Sequence, residues 1–288
     1  MSPDPRSLAE RISAETGLEF SGREGRDSDG TRWLELQPVG YPSGQTFTLR
    51  TLVGWRRLDV HFRPGNFAGD LMSAMGSADE TGRRTFRAVL DVCRDADAEI
   101  VLNINGTAYL PDDSAIWETE WRSFGLGVRK GMLAINEGNA EEDMRQVELW
   151  TSRVAAAILA LLPVEIEDDD GAEVSPEITG LPEGARTRVE VNRYERDRRN
   201  RAAALAIHGY SCKACKLDMG DRYGPAAAGL IEVHHVTPVS QLGEDYIVDP
   251  RTDLTPLCPN CHSVAHRRSP PYSIDDLREM LASVHEND

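Results

Sequence analysis

The chain is short of several things, and each shortage narrows what it can be. Basic residues are outnumbered, 32 against 48 acidic ones, which leaves a formal charge of −16. Net attraction cannot hold such a chain to DNA, so contact with DNA depends on local patches. Long apolar runs are missing: the longest, 155–164, is about half of what a membrane span requires. The opening segment, MSPDPRSLAE, has neither a basic nor an apolar stretch, and no secretory signal is expected. Cysteine occurs five times, once alone at Cys93 and otherwise in two close pairs. That pattern excludes a disulfide scaffold and points to a reducing, cytoplasmic setting. Aromatic residues make up only 6% of the chain, which works against an aromatic cage for a flipped base. No repeat is visible. The length, 288 residues, suits about two domains, each with its own core.

What is present is concentrated between residues 208 and 267. Cys212-x-x-Cys215 and Cys258-x-x-Cys261 form two pairs with 42 residues between them. A pair two residues apart folds into a knuckle whose sulfurs face one ion, and two knuckles complete a tetrahedral, structural zinc site with no open position. Five of the seven histidines share this window: His208, His234, His235, His262 and His266. His234 and His235 end a short apolar run that reads as a strand, on which neighbouring side chains point to opposite faces. His262 and His266 are four apart and share one face of a helix. Strand, loop, strand and helix, pinned by zinc and carrying histidines at both ends, is a ββα-metal arrangement.

These three segments resemble the HNH, or His-Me finger, endonucleases, and look closest to the McrA-like, type IV branch with a four-cysteine zinc. The resemblance covers roughly residues 185–270. It implies that His235 is the general base, that His234 and His262 hold a catalytic divalent ion, and that His266 assists them. The middle position of the motif is usually Asn; here it is Asp253, which accepts hydrogen bonds but cannot donate as an amide does. Asp253 therefore either orients the base or joins the metal shell. Imidazoles favour a transition metal, whereas a carboxylate moves the site towards Mg²⁺ or Mn²⁺.

The acidity is unevenly spread. Residues 1–163 carry 18 basic and 25 acidic groups, 164–184 carry eight acidic and no basic ones, and 185–288 carry 14 and 15. Half of the net charge thus sits in an acidic, Pro- and Gly-containing linker at 164–184, where Asp168, Asp169 and Asp170 could mimic DNA. The following segment to residue 207 holds seven arginines, Arg193 and Arg198 among them. It reads as a helix whose basic side lies along a phosphate backbone and whose apolar side packs on the zinc unit. Residues 273–284 read as a closing amphipathic helix with a Ser cap.

Residues 1–163 read as one mixed α/β domain. Helices are expected over 7–16, 82–95 and 141–162, and strands over 33–39, 46–53, 58–62 and 99–104. Residues 22–30 read as a polar turn or mobile loop, and 121–135 as a bent strand broken by glycines. No catalytic motif appears in this half, so a DNA-reading role is the natural inference for a chain with a small cutting unit. Candidate contacts are Arg23, Arg26, Arg50, Arg56, Arg57, His61, Arg63 and the turn Tyr41-Pro42-Ser43-Gly44. That turn, near arginines and a histidine and fused to an HNH unit, weakly resembles the sulfur-binding domains of phosphorothioate-dependent restriction enzymes. The resemblance covers roughly residues 18–135 and implies an apolar dent for the sulfur, with basic side chains on the flanking backbone. A reader of 5-methylcytosine is the competitor, and an inactive zinc DNA-binding module or a nuclease of unmodified DNA are the further alternatives.

The expectation is an α+β protein: an N-terminal mixed α/β reader of modified double-stranded DNA, a linker, and a zinc-stabilised HNH nuclease domain at 185–288. One such site cuts one strand, so a homodimer or successive nicks would be needed for a double-strand break. No membrane partner is expected.

Overall fold

The computed structural model describes residues 3–163, 198–237, 246–268 and 270–285. The first helix, α1 (Pro5–Thr16), starts where the Asp4 carboxylate accepts from the Ser7 amide and stops at Gly17, whose φ of 68° an L side chain resists. Four strands follow as a meander: β1 (Phe20–Arg26), β2 (Arg32–Pro38), β3 (Phe47–Gly54) and β4 (Arg57–Pro64). After α2 (Gly69–Gly76) and α3 (Glu80–Asp95) come β5 (Glu99–Ile104), β6 (Thr107–Tyr109), β7 (Phe124–Gly131) and the long α4 (Ala140–Leu161). The seven strands make one sheet in the order β1-β2-β3-β4-β7-β5-β6, with every neighbouring pair antiparallel.

Alternation along the strands separates the two faces of this sheet. Leu34, Leu36, Leu49, Leu58, Val60, Phe62 and Val128 are buried with residues of α1, α3 and α4 in one core. Inside it the Thr51 and Thr151 hydroxyls bond at 2.8 Å, joining β3 to α4. The alternate positions, among them Arg23, Glu35, Arg50, Asp59, His61 and Arg129, fall on the face that these helices do not cover.

The C-terminal part contains α5 (Arg198–His208), α6 (Met219–Tyr223), β8 (Glu232–His235), β9 (Leu254–Leu257), α7 (Pro259–Ala265) and α8 (Ile274–His285). β8 and β9 pair antiparallel, with His234 opposite Thr255 and His235 opposite Leu254. A second, smaller core gathers Leu205, Ile231, Leu257, Ala265 and Leu277 around the cysteines. The Ser cap expected at residue 273 is present and forms a reciprocal box: Ser273 Oγ accepts from the Asp276 amide, and the Asp276 carboxylate accepts from the Ser273 amide.

Three local expectations are corrected. Residues 22–26 are strand, not loop, and the two glycines of this stretch serve close approach rather than mobility. A Cβ on Gly22 would lie 1.9 Å from the Pro5 carbonyl oxygen of α1, and one on Gly25 would lie 2.3 Å from the Trp33 ring. The expected strand over 121–135 shortens to β7, because Trp121 turns into the core. It stacks on Phe124 at a centroid distance of 4.9 Å and donates its indole N–H to the Ile116 carbonyl. The apolar side of α5 does not serve the zinc-binding unit alone: Ala202, Ala203 and Ala206 belong to the larger core and Leu205 to the smaller one. Further ties join the same two parts. The Arg11 guanidinium lies 3.8 Å over the Tyr210 ring, Arg199 pairs with Asp79, and Arg251 pairs with Asp91 and Asp95. The acidic linker with Asp168–Asp170 and the arginine-rich segment up to residue 197 lie outside the described residues, Arg193 with them. Among the described residues no helix is long and apolar enough to cross a membrane.

Ala203 is fully buried. Ala203→Leu is therefore expected to lower the stability of the chain by about 1–3 kcal/mol through overpacking, read as a lower urea midpoint. An unchanged midpoint would mean that α5 does not carry the junction.

Candidate metal centre and nuclease site

Backbone turns build the first knuckle. The Cys212 amide donates to the Leu217 carbonyl, the Lys216 amide donates to the Cys212 carbonyl, and Lys216 itself is left-handed at φ 64°. The Lys213 amide donates to the Pro256 carbonyl and so fixes this knuckle against β9. The second knuckle is the start of α7: Cys258 is its N-cap, Pro259 supplies the preset first turn, and Cys261 follows. All four sulfurs lie within 4.8 Å of one another, with Cys215 and Cys258 3.7 Å apart. Tetrahedral zinc at a Zn–S distance of about 2.3 Å requires sulfur edges of about 3.8 Å, so the residues fit the ion. Burial pushes the Cys215 and Cys261 thiols up. At Cys212 burial acts the same way, but backbone amides at Cys258, Cys215 and Ala214 outweigh it and hold the thiol below its ordinary value. A bound cation would let all four ionise together.

Three histidines converge as a second cluster. His234 from β8, His262 from α7 and His266 at the C-cap of α7 bring one nitrogen each to within 4.8 Å of the others. Their ring centroids are 5.3, 5.0 and 4.6 Å apart in the three pairs. His234 Nδ1 and His262 Nε2 are buried and have no hydrogen-bond partner among the described residues. Buried, orphaned imidazole nitrogens on clustered histidines are what a metal ligand looks like before the metal is added. The Glu232 carboxylate, two residues before His234 on the same strand, engages His262 Nδ1 and so leaves Nε2 for an ion. Burial, helped by the neighbouring His262, His266 and His235, pushes His234 down to about 4, so it is neutral and ligand-competent at ordinary pH.

His235 is buried beside them but does not join the cluster of three. Alternation along β8 sends it to the other side of the strand. Asp253 is not in that cluster either. Its carboxylate accepts from the Asp249 amide at 2.7 Å, the Tyr246 hydroxyl at 2.8 Å and the Thr252 hydroxyl at 3.1 Å. Its backbone carbonyl accepts from Val236, the residue after His235. An acceptor-only side chain suffices for that clasp, which explains how Asp can stand where Asn is usual. The His208 ring bonds the Pro250 carbonyl and ties the end of α5 to the same loop.

Residues 212–268 match the family model described as HNH endonuclease. No curated protein and no solved structure matches the chain. The matched HNH segment contains every cysteine and histidine of both clusters. Glu232 also lies in it and was not singled out from the sequence; its position two residues before His234, on the same face of a strand, is the signal that could have found it.

The residues expected to touch DNA fall into groups. Tyr41, Pro42 and Ser43 are exposed in the β2–β3 connection, where the neighbouring Gly44 backs onto the exposed Phe67 ring. Arg50, His61 and Arg63 share the uncovered face of the sheet. Burial holds His61 below its usual pKa, with Arg63 and Arg129 acting in the same direction against Asp59. Arg198 turns back and donates to the Gly17 carbonyl at 3.3 Å, so this end of α5 is committed to the fold.

Glu232→Gln keeps the shape but loosens the grip on His262. It is expected to weaken divalent-ion binding at the histidines about 10- to 100-fold, measured by titration calorimetry, with the cysteine-bound zinc unchanged. Because the folded chain holds His234 neutral, acid favours the unfolded state. Without added metal, stability should fall as pH drops from about 6.5 towards about 4. His234→Gln should flatten that part of the melting-temperature profile.

Proposed function

We propose that the chain is a metal-dependent DNA endonuclease of the modification-dependent, type IV restriction kind, cutting with its HNH segment and reading with its N-terminal half. The observation that carries the nuclease reading is the convergence of His234, His262 and His266 beside His235 within the segment that matches the HNH family. A divalent cation seated on those three imidazoles would neutralise charge growing on the phosphate and on the departing 3′ oxygen. His235, buried next to that cluster, would take the proton from the attacking water. Glu232 fixes the ring of His262, and Asp253 fixes the loop behind the base. Three imidazoles without a carboxylate favour a transition metal over Mg²⁺.

For the reader, the phosphorothioate reading is supported by what surrounds the Tyr41–Pro42 turn. Tyr41 is 59% exposed and Phe67 80% exposed on adjoining loops, near the exposed Arg63. Apolar surface beside a cation suits a phosphate whose nonbridging oxygen has been replaced by larger, less hydrated sulfur. Trp117, Trp121 and Phe124 are stacked together inside the helix-covered side of the domain, which leaves them unable to cage a flipped base. Trp55, 76% exposed at the β3–β4 turn, is the observation that favours 5-methylcytosine as a second reading. A homodimer, or successive nicks, would complete a double-strand break.

The test compares cleavage of plain, phosphorothioated and 5-methylcytosine duplexes by the full chain with Mn²⁺, Ni²⁺ and Mg²⁺. Cleavage of phosphorothioated DNA well above the other two is expected. His235→Ala should lower its rate by about 10²- to 10⁴-fold while zinc content and DNA binding persist. Undiminished cleavage by His235→Ala would remove the assigned base, and equal cleavage of all three duplexes would remove modification dependence.

A further inference from the structure

The uncovered face of the large sheet is organised in cross-strand rows. Register places Arg23, Glu35, Arg50, His61, Gly127 and Val101 opposite one another across β1, β2, β3, β4, β7 and β5. In the adjoining row Asp59 stands opposite Arg129, with Arg57 two residues along β4. Within these rows charge is layered by depth. The Glu35 side chain is 2% exposed and accepts from Arg23 Nε at 2.8 Å and Arg50 Nε at 2.7 Å. The Asp59 side chain is 3% exposed and accepts from Arg57 Nε and Arg129 Nε. The arginines stand above their carboxylates: Arg23, Arg57 and Arg129 are each at least half exposed. Solvent on this face therefore meets guanidinium groups above the two buried carboxylates, with two exposed carboxylates at the margins: Glu99 beside Arg129 and Asp27 beside Arg50.

Each clasp uses the inner edge of its guanidinium and leaves outer N–H groups unspent. Arg57 gives Nε to Asp59, and Arg129 gives Nε to Asp59 and Nη1 to Glu99, leaving Nη2. The Arg63 side chain, exposed on the same face, makes no hydrogen bond or ion pair among the described residues. Beside these charges the floor is low. His61 lies across Gly127, where a Cβ would come within 3.0 Å of its Nδ1, and a Cβ on Gly125 would meet nothing closer than 3.9 Å. Val101, 48% exposed, borders that strip. Strands about 4.8 Å apart put Arg23 on β1 and Arg129 on β7 roughly 19 Å from each other. A duplex presents on the order of ten phosphate charges over that length.

We infer that this face is a docking surface for the sugar–phosphate backbone of duplex DNA, with Glu35 and Asp59 as positioning residues that hold paired arginines ready for phosphate. The inference rests on the DNA-reading role of the N-terminal half and names the surface that performs it. Guanidinium forks match phosphate oxygens, and clasped side chains lose little freedom on binding. The glycine strip lets the backbone of the ligand come close to the sheet. This surface is sequence-independent, so it supplies grip while the Tyr41 loop reads the modification.

The experiment is fluorescence anisotropy of a labelled duplex with the full chain, with magnesium and manganese omitted, over a range of salt concentrations. Arg63→Gln, which disturbs no contact, is expected to weaken binding about fivefold at 0.15 M salt and to lower the salt slope by about one. Arg129→Gln should act in the same direction, whereas Arg145→Gln on α4 should not. Asp59→Asn is the sharper variant, because removing a negative charge would strengthen binding on a merely Coulombic surface. Weaker binding by Asp59→Asn, with zinc content and melting temperature retained, is expected. Equal or tighter binding would overturn the positioning role. Wild-type affinity in both Arg63→Gln and Arg129→Gln would overturn the face itself, whether or not Asp59→Asn folds. A chain that cleaves DNA yet is indifferent to these changes loses only this surface. One that binds through it and cleaves nothing loses only the nuclease reading.

Discussion

Four sulfurs crowded into one small volume are the constraint on which the C-terminal half depends. β8 and β9 have four residues each and α7 has seven. Elements this short cannot bury enough apolar surface to hold a unique arrangement. Their core is built around Cys212, Cys258 and Cys261, where an ion held by the thiolates would take the place that a larger hydrophobic core fills. The same turn that delivers Cys261 to the thiolate cluster delivers His262, its neighbour in sequence, to the imidazole cluster. The thiolate and imidazole clusters therefore share a mechanical frame. The Glu232 grip on His262 and the Asp253 clasp on the loop behind His235 remove the remaining freedom.

The N-terminal half solves a different problem by different means. Its helices pack against one side of a seven-stranded antiparallel sheet and leave the other side to polar residues. Isolated carboxylates at the base of that side would be costly to bury, and each is satisfied by two guanidiniums. What results is a lattice of clasped pairs in which Arg23, Arg57 and Arg129 stand more exposed than the carboxylates they hold. An acidic chain can in this way present arginines to solvent without a basic composition.

Legibility in the sequence followed the strictness of the chemistry. Metal ligands tolerate few residue types and few spacings, so both cysteine pairs and the three clustered histidines could be read directly. Alternation placed Leu58, Val60 and Phe62 on the buried side of β4 as expected. Glycine was less legible: in 22–26 it reads as flexibility, while the fold uses it to let α1 and Trp33 approach the edge strand. The partnerships of Glu35 and Asp59 were invisible because they arise from register between strands, which no local pattern encodes. The partners of the α5 arginines were hidden for a related reason. Nothing in residues 198–199 announces that Gly17 and Asp79 stand within reach.

α5 has a consequence for ancestry. Modules joined by a tether alone can be exchanged between genes as cassettes, each half keeping its own interior. Here a breakpoint ahead of residue 198 would strip three alanines from the layer above the sheet, and one after residue 208 would take Leu205 from the zinc-binding half. Recombination that brings in a new cutter must bring in a matching helix as well. Lineages of the two halves should therefore travel together, and substitutions on one side of α5 should be answered on the other.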